Sequence, residues 1–224
     1  MSIKPEIIIS CDPGIVGGIC IIEKNNLPKV YKIPIKIIIV NKKKKKVYDL
    51  EKLVDIFEPY KNKQVLFAQE KVTAMRKQGV TSTFNFGKSA GSTLGIAAAF
   101  NWKIVEIRSQ SWKKHFLELE TKEITKMRKE QKKLIILIKK KTQIEGELKD
   151  KKSKNRSYKK IVDNLKKNLE KLKRLIKKEA KIQSRQLAKK FYPELEEEFD
   201  KVSDDGKSDA LLIGFFAKDY YDLV

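Results

Sequence analysis

The chain is poor in the residues that soft-metal sites and disulfide frameworks need. Its 224 residues include one histidine, His115, and two cysteines, Cys11 and Cys20, with no Cys-x-x-Cys pair. That inventory argues against a structural zinc site. Two cysteines on early strands suit a reducing, intracellular compartment, although the sequence leaves a disulfide between them open. No stretch of about 18 or more apolar residues occurs. The longest candidate, residues 33–40, is interrupted by Pro34 and Lys36, so no membrane span is expected. The opening MSIKPEIIIS has neither the apolar core nor the cleavage site of a secretory signal, so no secretion is expected. Acidic residues are also scarce, 29 against 51 lysines and arginines, for a formal net charge of +22.

Such an excess favours a polyanionic partner, because each phosphate neutralised by Lys or Arg releases condensed counterions. An AT-rich coding sequence would also enrich lysine and isoleucine without functional cause, most of all in the run 42–46. The excess is uneven. Residues 122–181 hold 24 basic and 8 acidic residues, and the remainder 27 and 21.

Residues 6–12 (EIIISCD) read as a buried strand ending at a Pro13-Gly14 turn. A second strand follows over 19–23, a third extended segment over 30–39, and an amphipathic helix over 49–60. Residues 65–69 form a central strand ending at Glu70. A helix rich in small residues covers 81–100, and a strand covers 102–107. A further helix begins near Trp112, capped by Ser109 or Ser111. Residues 122–180 form an insert with no proline and one glycine. In it Val162, Leu165, Leu169, Leu172 and Ile176 follow the 3,4 spacing of a coiled-coil seam. Ile124, Met127, Leu134, Ile138 and Leu148 fit the same register, broken by Gln131, Lys141 and Glu145. The expectation is an antiparallel helical hairpin, with a seam to a second subunit as the alternative. A short helix over 184–191 ends before Pro193, and an apolar helix starts after Gly206. The domains are then 1–121 with 181–224, and the insert 122–180.

Four carboxylates lie in or beside apolar runs, where an unpartnered acid is costly. They are Asp12, Glu70, Asp205 and Asp209. The last two are four apart and share a helix face if the helix starts by residue 205. Asp and Glu oxygens are the donors that Mg²⁺ prefers, and a pair of such ions can hold both the attacking and the leaving oxygen of a phosphodiester. These residues therefore point to metal-dependent hydrolysis, with Lys113 or Lys114 stabilising the phosphorane charge. Each acid also has an ordinary reading: a turn residue for Asp12, a strand-end rim residue for Glu70, a helix cap for Asp204 and Asp205.

The order SCDPGIVGGICII, FAQEKV, FNFGKSAGSTLGIAAAF, SWKKHF, SRQLAKKFYPEL and DDGKSDALLIGFFA resembles the RuvC-type Holliday-junction resolvases, chiefly their phage, viral and chloroplast branches. The likeness covers most of residues 6–120 and 181–218, and nothing in it matches the insert. It implies an α/β, ribonuclease H-like fold: a mixed five-stranded sheet flanked by helices, here with an inserted basic hairpin. It implies a homodimeric endonuclease that takes Mg²⁺, with Mn²⁺ substituting and two ions per site, and cuts opposed strands of four-way DNA junctions. Asp12, Glu70, Asp205 and Asp209 would be the ligands, with Asp204 the alternative to Asp205. Lys113 and Lys114 would sit by the scissile phosphate, and Arg76, Lys77, Lys88 and Arg185 would join them on the DNA. Gly87, Gly91 and Gly95 match the dimer-facing helix, or else pack within one chain. The family's aromatic wedge position holds Thr73 here, leaving Met75, Phe84 or Phe86 to open the junction. The insert would grip DNA arms or dock a protein partner. Alternatives are a non-catalytic nucleic-acid-binding protein and a ribonuclease H-like nuclease of other specificity.

Overall fold

The computed structural model describes residues 5–74, 79–116, 119–147 and 152–221. They divide into two compact units: one made of the residues up to Phe116 and from Ser184 onward, the other of the residues between.

The first unit is built on strands β1 (Ile7–Asp12), β2 (Gly18–Glu23), β3 (Lys29–Lys32), β6 (Val65–Glu70) and β7 (Lys103–Ile107). Their order is β3-β2-β1-β6-β7. β2 runs antiparallel to both neighbours, while β1, β6 and β7 are parallel. This mixed five-stranded sheet with its helices is consistent with the expected ribonuclease H-like arrangement. Strand alternation divides the side chains of β1 and β6 between two faces. Ile7, Ile9, Cys11, Val65 and Phe67 join one core cluster with Leu53 and Phe57 of α1 (Leu50–Phe57) and Ala97 of α2 (Val80–Ala99). Phe57 packs edge-on to Phe67 and Trp102, with ring centroids 5.8 and 5.5 Å away. Each such buried ring stabilises the fold by about 1.5–3 kcal/mol. The opposite face is covered by α6 (Asp205–Tyr220), where the Ser10 hydroxyl donates to the Ala210 carbonyl at 2.7 Å. Cys11 and Cys20 are buried free thiols. Cys20 pairs with Ser10 in the strand register while Cys11 faces the other core, so the two sulfurs lie on opposite faces.

Three local expectations are corrected. Residues 30–39 are two strands rather than one, because Pro34 cannot donate to a ladder. β3 stays in the sheet, whereas β4 (Ile35–Val40) forms a separate two-stranded ribbon with β5 (Lys43–Tyr48). Asn41 and Lys42 turn the ribbon with φ of 51° and 60°, the left-handed pair of a two-residue hairpin loop. Four of the five lysines of the run, Lys43 to Lys46, are therefore strand residues. The helix α3 (Ser109–His115) begins at Ser109 with Arg108 as its cap residue, so neither serine caps it. Residues 184–191 are the end of α5 (Lys152–Phe191) rather than a separate helix.

The second unit contains α4 (Lys122–Glu147) and the larger part of α5. In α4 the shielded positions with a described side chain are Ile124, Thr125, Met127, Gln131, Leu134, Ile138, Lys141 and Ile144. Gln131 and Lys141, polar breaks in the apolar spacing, are thus half-buried like the apolar positions around them. Lys141 lays its ammonium 5.3 Å from the centre of the Tyr158 ring, so a cation–π contact occupies that position. In α5 Val162 and Leu172 are buried, and Leu165, Leu169 and Ile176 are half-buried among exposed lysines. Leu148 lies outside the described residues.

Candidate active site

β1 and β6 run side by side with Cys11 opposite Gln69. The last residues of these strands, Asp12 and Glu70, are each one step further on and therefore neighbours. Alternation puts both on the face of Ser10 and Ala68, the face that α6 covers. Both are half-buried.

Backbone contact brings the first turn of α6 to the same end of the sheet. Asp12 pairs with Gly18 across the β1–β2 ladder. A Cβ on Gly18 would lie 2.4 Å from the Gly206 carbonyl oxygen, so only glycine fits there. Gly17 and Gly206 also form an isolated parallel bridge. Gly206 is flanked by Asp205 at the first helical position, with Asp209 one turn on and buried at 3% exposure. The helix does begin at residue 205, and the two acids share its face. Four carboxylates from positions 12, 70, 205 and 209 thus belong to one end of one sheet.

Their side chains are engaged differently. Glu70 accepts a hydrogen bond from the indole N–H of Trp112 at 2.9 Å, and Trp112 is fully buried in α3. Asp205 is ion-paired with Arg185, whose side chain is 13% exposed. Among the described residues no three His, Cys, Asp or Glu side chains stand together as an ion-holding group. In kind the donor set fits a hard divalent cation, since all four offer carboxylate oxygens. In arrangement, two of the four are turned toward Trp112 and Arg185. Partly buried carboxylates take the charge-assisted donors within reach.

No family model and no curated protein matches the chain. Among solved structures it is similar to Thermus thermophilus RuvC in complex with a Holliday junction substrate, at 9% identity over 50% of this chain and 72% of that one, with a TM-score of 0.32. It is also similar to a second Thermus thermophilus RuvC structure, at 12% identity over 48% and 66%, the latter just under two thirds, with a TM-score of 0.28.

The remaining expected residues fall in several places. Lys113 donates to the Ser109 hydroxyl at 2.8 Å and lies 4.7 Å from the centre of the Trp112 ring, so it borders the residue that holds Glu70. Lys114 is exposed on the same helix, and Lys88 is exposed on α2. Arg185 directs its charge at Asp205 rather than at solvent. Arg76, Lys77 and the wedge candidate Met75 lie outside the described residues. Thr73 is exposed, and Phe84 is 70% exposed, which removes it from any core role. Around Gly87, Gly91 and Gly95 no described atom would meet an added Cβ within 4 Å. Those glycines do not serve close packing within the described unit.

Asp204, the alternative to Asp205, has a structural post. It is 3% exposed. Lys32 approaches its carboxylate at 2.9 Å and Lys207 at 3.5 Å, and the Lys201 backbone N–H donates to it at 2.9 Å. Burial pushes its carboxyl upward, but the Lys32 hydrogen bond, the Lys201 N–H and the two ammonium charges together hold it below the usual value. Trp112 and Arg185 are the residues that sequence reasoning did not connect with the acids. The signal for Trp112 was an aromatic amid a basic helix, which by itself does not name a partner.

Proposed function

We propose that this chain is a divalent-metal-dependent endonuclease for four-way junction DNA. The observation that supports the nuclease reading is that the ends of β1 and β6, where Asp12 and Glu70 are neighbours, lie against the first turn of α6, which carries Asp205 and Asp209. The net charge of +22 supports a polyanionic substrate. The junction itself rests on the motif order in the sequence.

Asp12, Glu70, Asp205 and Asp209 would hold Mg²⁺ or Mn²⁺, two ions per site. When bound, the metal supplies an activated water and charge stabilisation for the leaving oxygen. The chain's own residues do the positioning. Trp112 fixes the Glu70 carboxylate, and Arg185 orients that of Asp205. Lys113 and Lys114 bring positive charge beside the acids, where phosphate oxygens gain charge in the transition state.

The chain acts as a homodimer through α2, a reading supported by the outward-facing Gly87, Gly91 and Gly95. The nuclease domain comprises 1–121 and 181–224. Residues 122–180 form an antiparallel coiled-coil hairpin whose lysines contact phosphates of the junction arms without reading bases, or dock a protein partner. The protein works inside a reducing compartment.

A second reading, nucleic-acid binding without chemistry, is favoured by the ion pair that occupies Asp205. One experiment separates them. A synthetic four-way junction is incubated with Mg²⁺ or EDTA beside duplex, flap and RNA–DNA hybrid substrates, and products on both strands are mapped. The nuclease reading expects paired symmetric cuts in the junction with Mg²⁺, lost in Asp12→Asn and Glu70→Gln while binding in EDTA persists. Binding without any cut supports the second reading. Preferential cutting of the hybrid overturns the junction as substrate.

A further inference from the structure

The β4–β5 ribbon stands apart from the main sheet and faces the N-terminal half of α2. Between them lies a cleft of about 980 Å³ that reaches Gly14 and Ile15, in the turn that follows Asp12. Its charged lining is Lys36, Lys45, Lys46 and Lys88, and among the described lining residues there is no acid. The nearest carboxylate contact is that of Lys36 with Asp49, at 3.8 Å. The ribbon's register explains the mixture for one face: Lys36 pairs with Val47 and Ile38 with Lys45, so that face alternates cation and apolar side chain, whereas Lys46 pairs with Ile37 on the other face. Lys45 reaches across and donates to the Asn85 side chain at 3.2 Å, tying ribbon to helix. Phe86 lines the cleft from α2, half-buried, with its ring edge 3.8 Å from where a Gly14 Cβ would stand.

A cation-lined groove with an aromatic platform and apolar walls suits a strand with its bases unpaired. The lysines neutralise phosphates, and the ring and aliphatic side chains take base faces that a duplex keeps stacked. A duplex arm keeps its base faces stacked on one another, which would leave the Phe86 ring without a base to stack on. We propose that this cleft holds an unpaired nucleic-acid segment, its backbone on Lys36, Lys45 and Lys88 and a base on Phe86, leading it to the acids at the end of β1. The proposal deepens the nuclease reading by naming where the strand enters, and it rests on that reading only for what happens at the acids.

The test measures binding in EDTA, so that chemistry is silent. A short fluorescein-labelled oligothymidylate and a duplex of equal length are titrated across a salt series. Three proteins are compared with the unchanged chain: Lys36, Lys45 and Lys88 all to Gln; Lys24, Lys63 and Lys103 all to Gln as an equal-charge control; and Phe86→Leu. The cleft variant is expected to lose at least tenfold in single-strand affinity, with the log–log salt slope falling by about 0.7 per lysine removed. The control is expected to change much less. Phe86→Leu is expected to lose about tenfold for the single strand with its salt slope and duplex binding unchanged. Equal losses in cleft and control variants overturn the proposal, as does a Phe86→Leu protein that binds the single strand normally. Equal weakening of duplex and single strand overturns the unpaired occupant. Junction cutting by Asp12→Asn is scored separately: if that variant still cuts, the catalytic reading fails while the cleft result stands.

Discussion

Gly18 and Gly206 meet backbone to backbone, although 188 positions separate them in the chain. A Cβ on Gly206 would stand 2.3 Å from the Gly17 carbonyl carbon. No flexible side chain lies in the way that could yield. Gly206→Ala is therefore expected to push α6 off the β1–β2 turn and to destabilise the fold by about 1–3 kcal/mol. Urea unfolding monitored by circular dichroism measures it. An unchanged midpoint would show that the contact is looser than it stands.

Trp112 and Glu70 are joined by one charge-assisted hydrogen bond in a partly buried setting. A double-mutant cycle with Trp112→Phe and Glu70→Gln should return a coupling of about 1.5–3 kcal/mol in unfolding free energy. Trp112→Phe should also slow junction cutting by about tenfold, since the carboxylate loses its fixed direction. Zero coupling would reduce Trp112 to a packing residue.

Asp204 sets an acid limit on stability. Its carboxyl is held below the usual range in the folded chain, so the stability it contributes is present above the unfolded-state value of about 3.9 and is lost as pH falls through the folded-state value. Asp204→Asn should cost about 1.5–3 kcal/mol at pH 7, by taking the carboxylate away from Lys32 at 2.9 Å and from Lys207 at 3.5 Å, while Lys207 keeps Glu198 at 2.6 Å. The gap between variant and unchanged protein should close as the pH falls past the unfolded-state value and through the lower folded-state one. A gap that stays constant from pH 7 downward would show that charge is not the cause.

Gly91 faces outward on α2 with open space around it. If that face carries the dimer, Gly91→Leu should convert the protein to monomer in sedimentation velocity while leaving its circular dichroism intact. A variant that stays dimeric places the interface elsewhere.

Much of the central sheet was legible because its strands are short β-branched runs bounded by turn residues, as with Ile7, Ile8 and Ile9 before Pro13-Gly14. That the first turn of α6 meets the β1–β2 turn was expected only through the family likeness, because nothing local says that residue 18 and residue 206 will touch. The ribbon β4–β5 was not legible. Lysine has weak strand preference, and a run of five reads as solvated chain until its partner, Ile35–Val40, is known to pair with it. The start of α3 was missed for a smaller reason: two serines invite a capping assignment, whereas the structure leaves the Arg108 carbonyl to accept from Ser111 N–H at 2.9 Å. The partners of the acids, Trp112 and Arg185, come from elements 42 and 20 positions away, and side-chain pairing across elements leaves no periodic trace.

The lateness of α6 has a bearing on how the protein is made. A ribosome releases β1, β2 and β6 long before it reaches residue 205, and the strand face carrying Ile8 and Ser10 waits for its cover through all of that synthesis. Two of the four acids arrive with that cover. An interrupted translation product therefore carries half of the acids and an unfinished core.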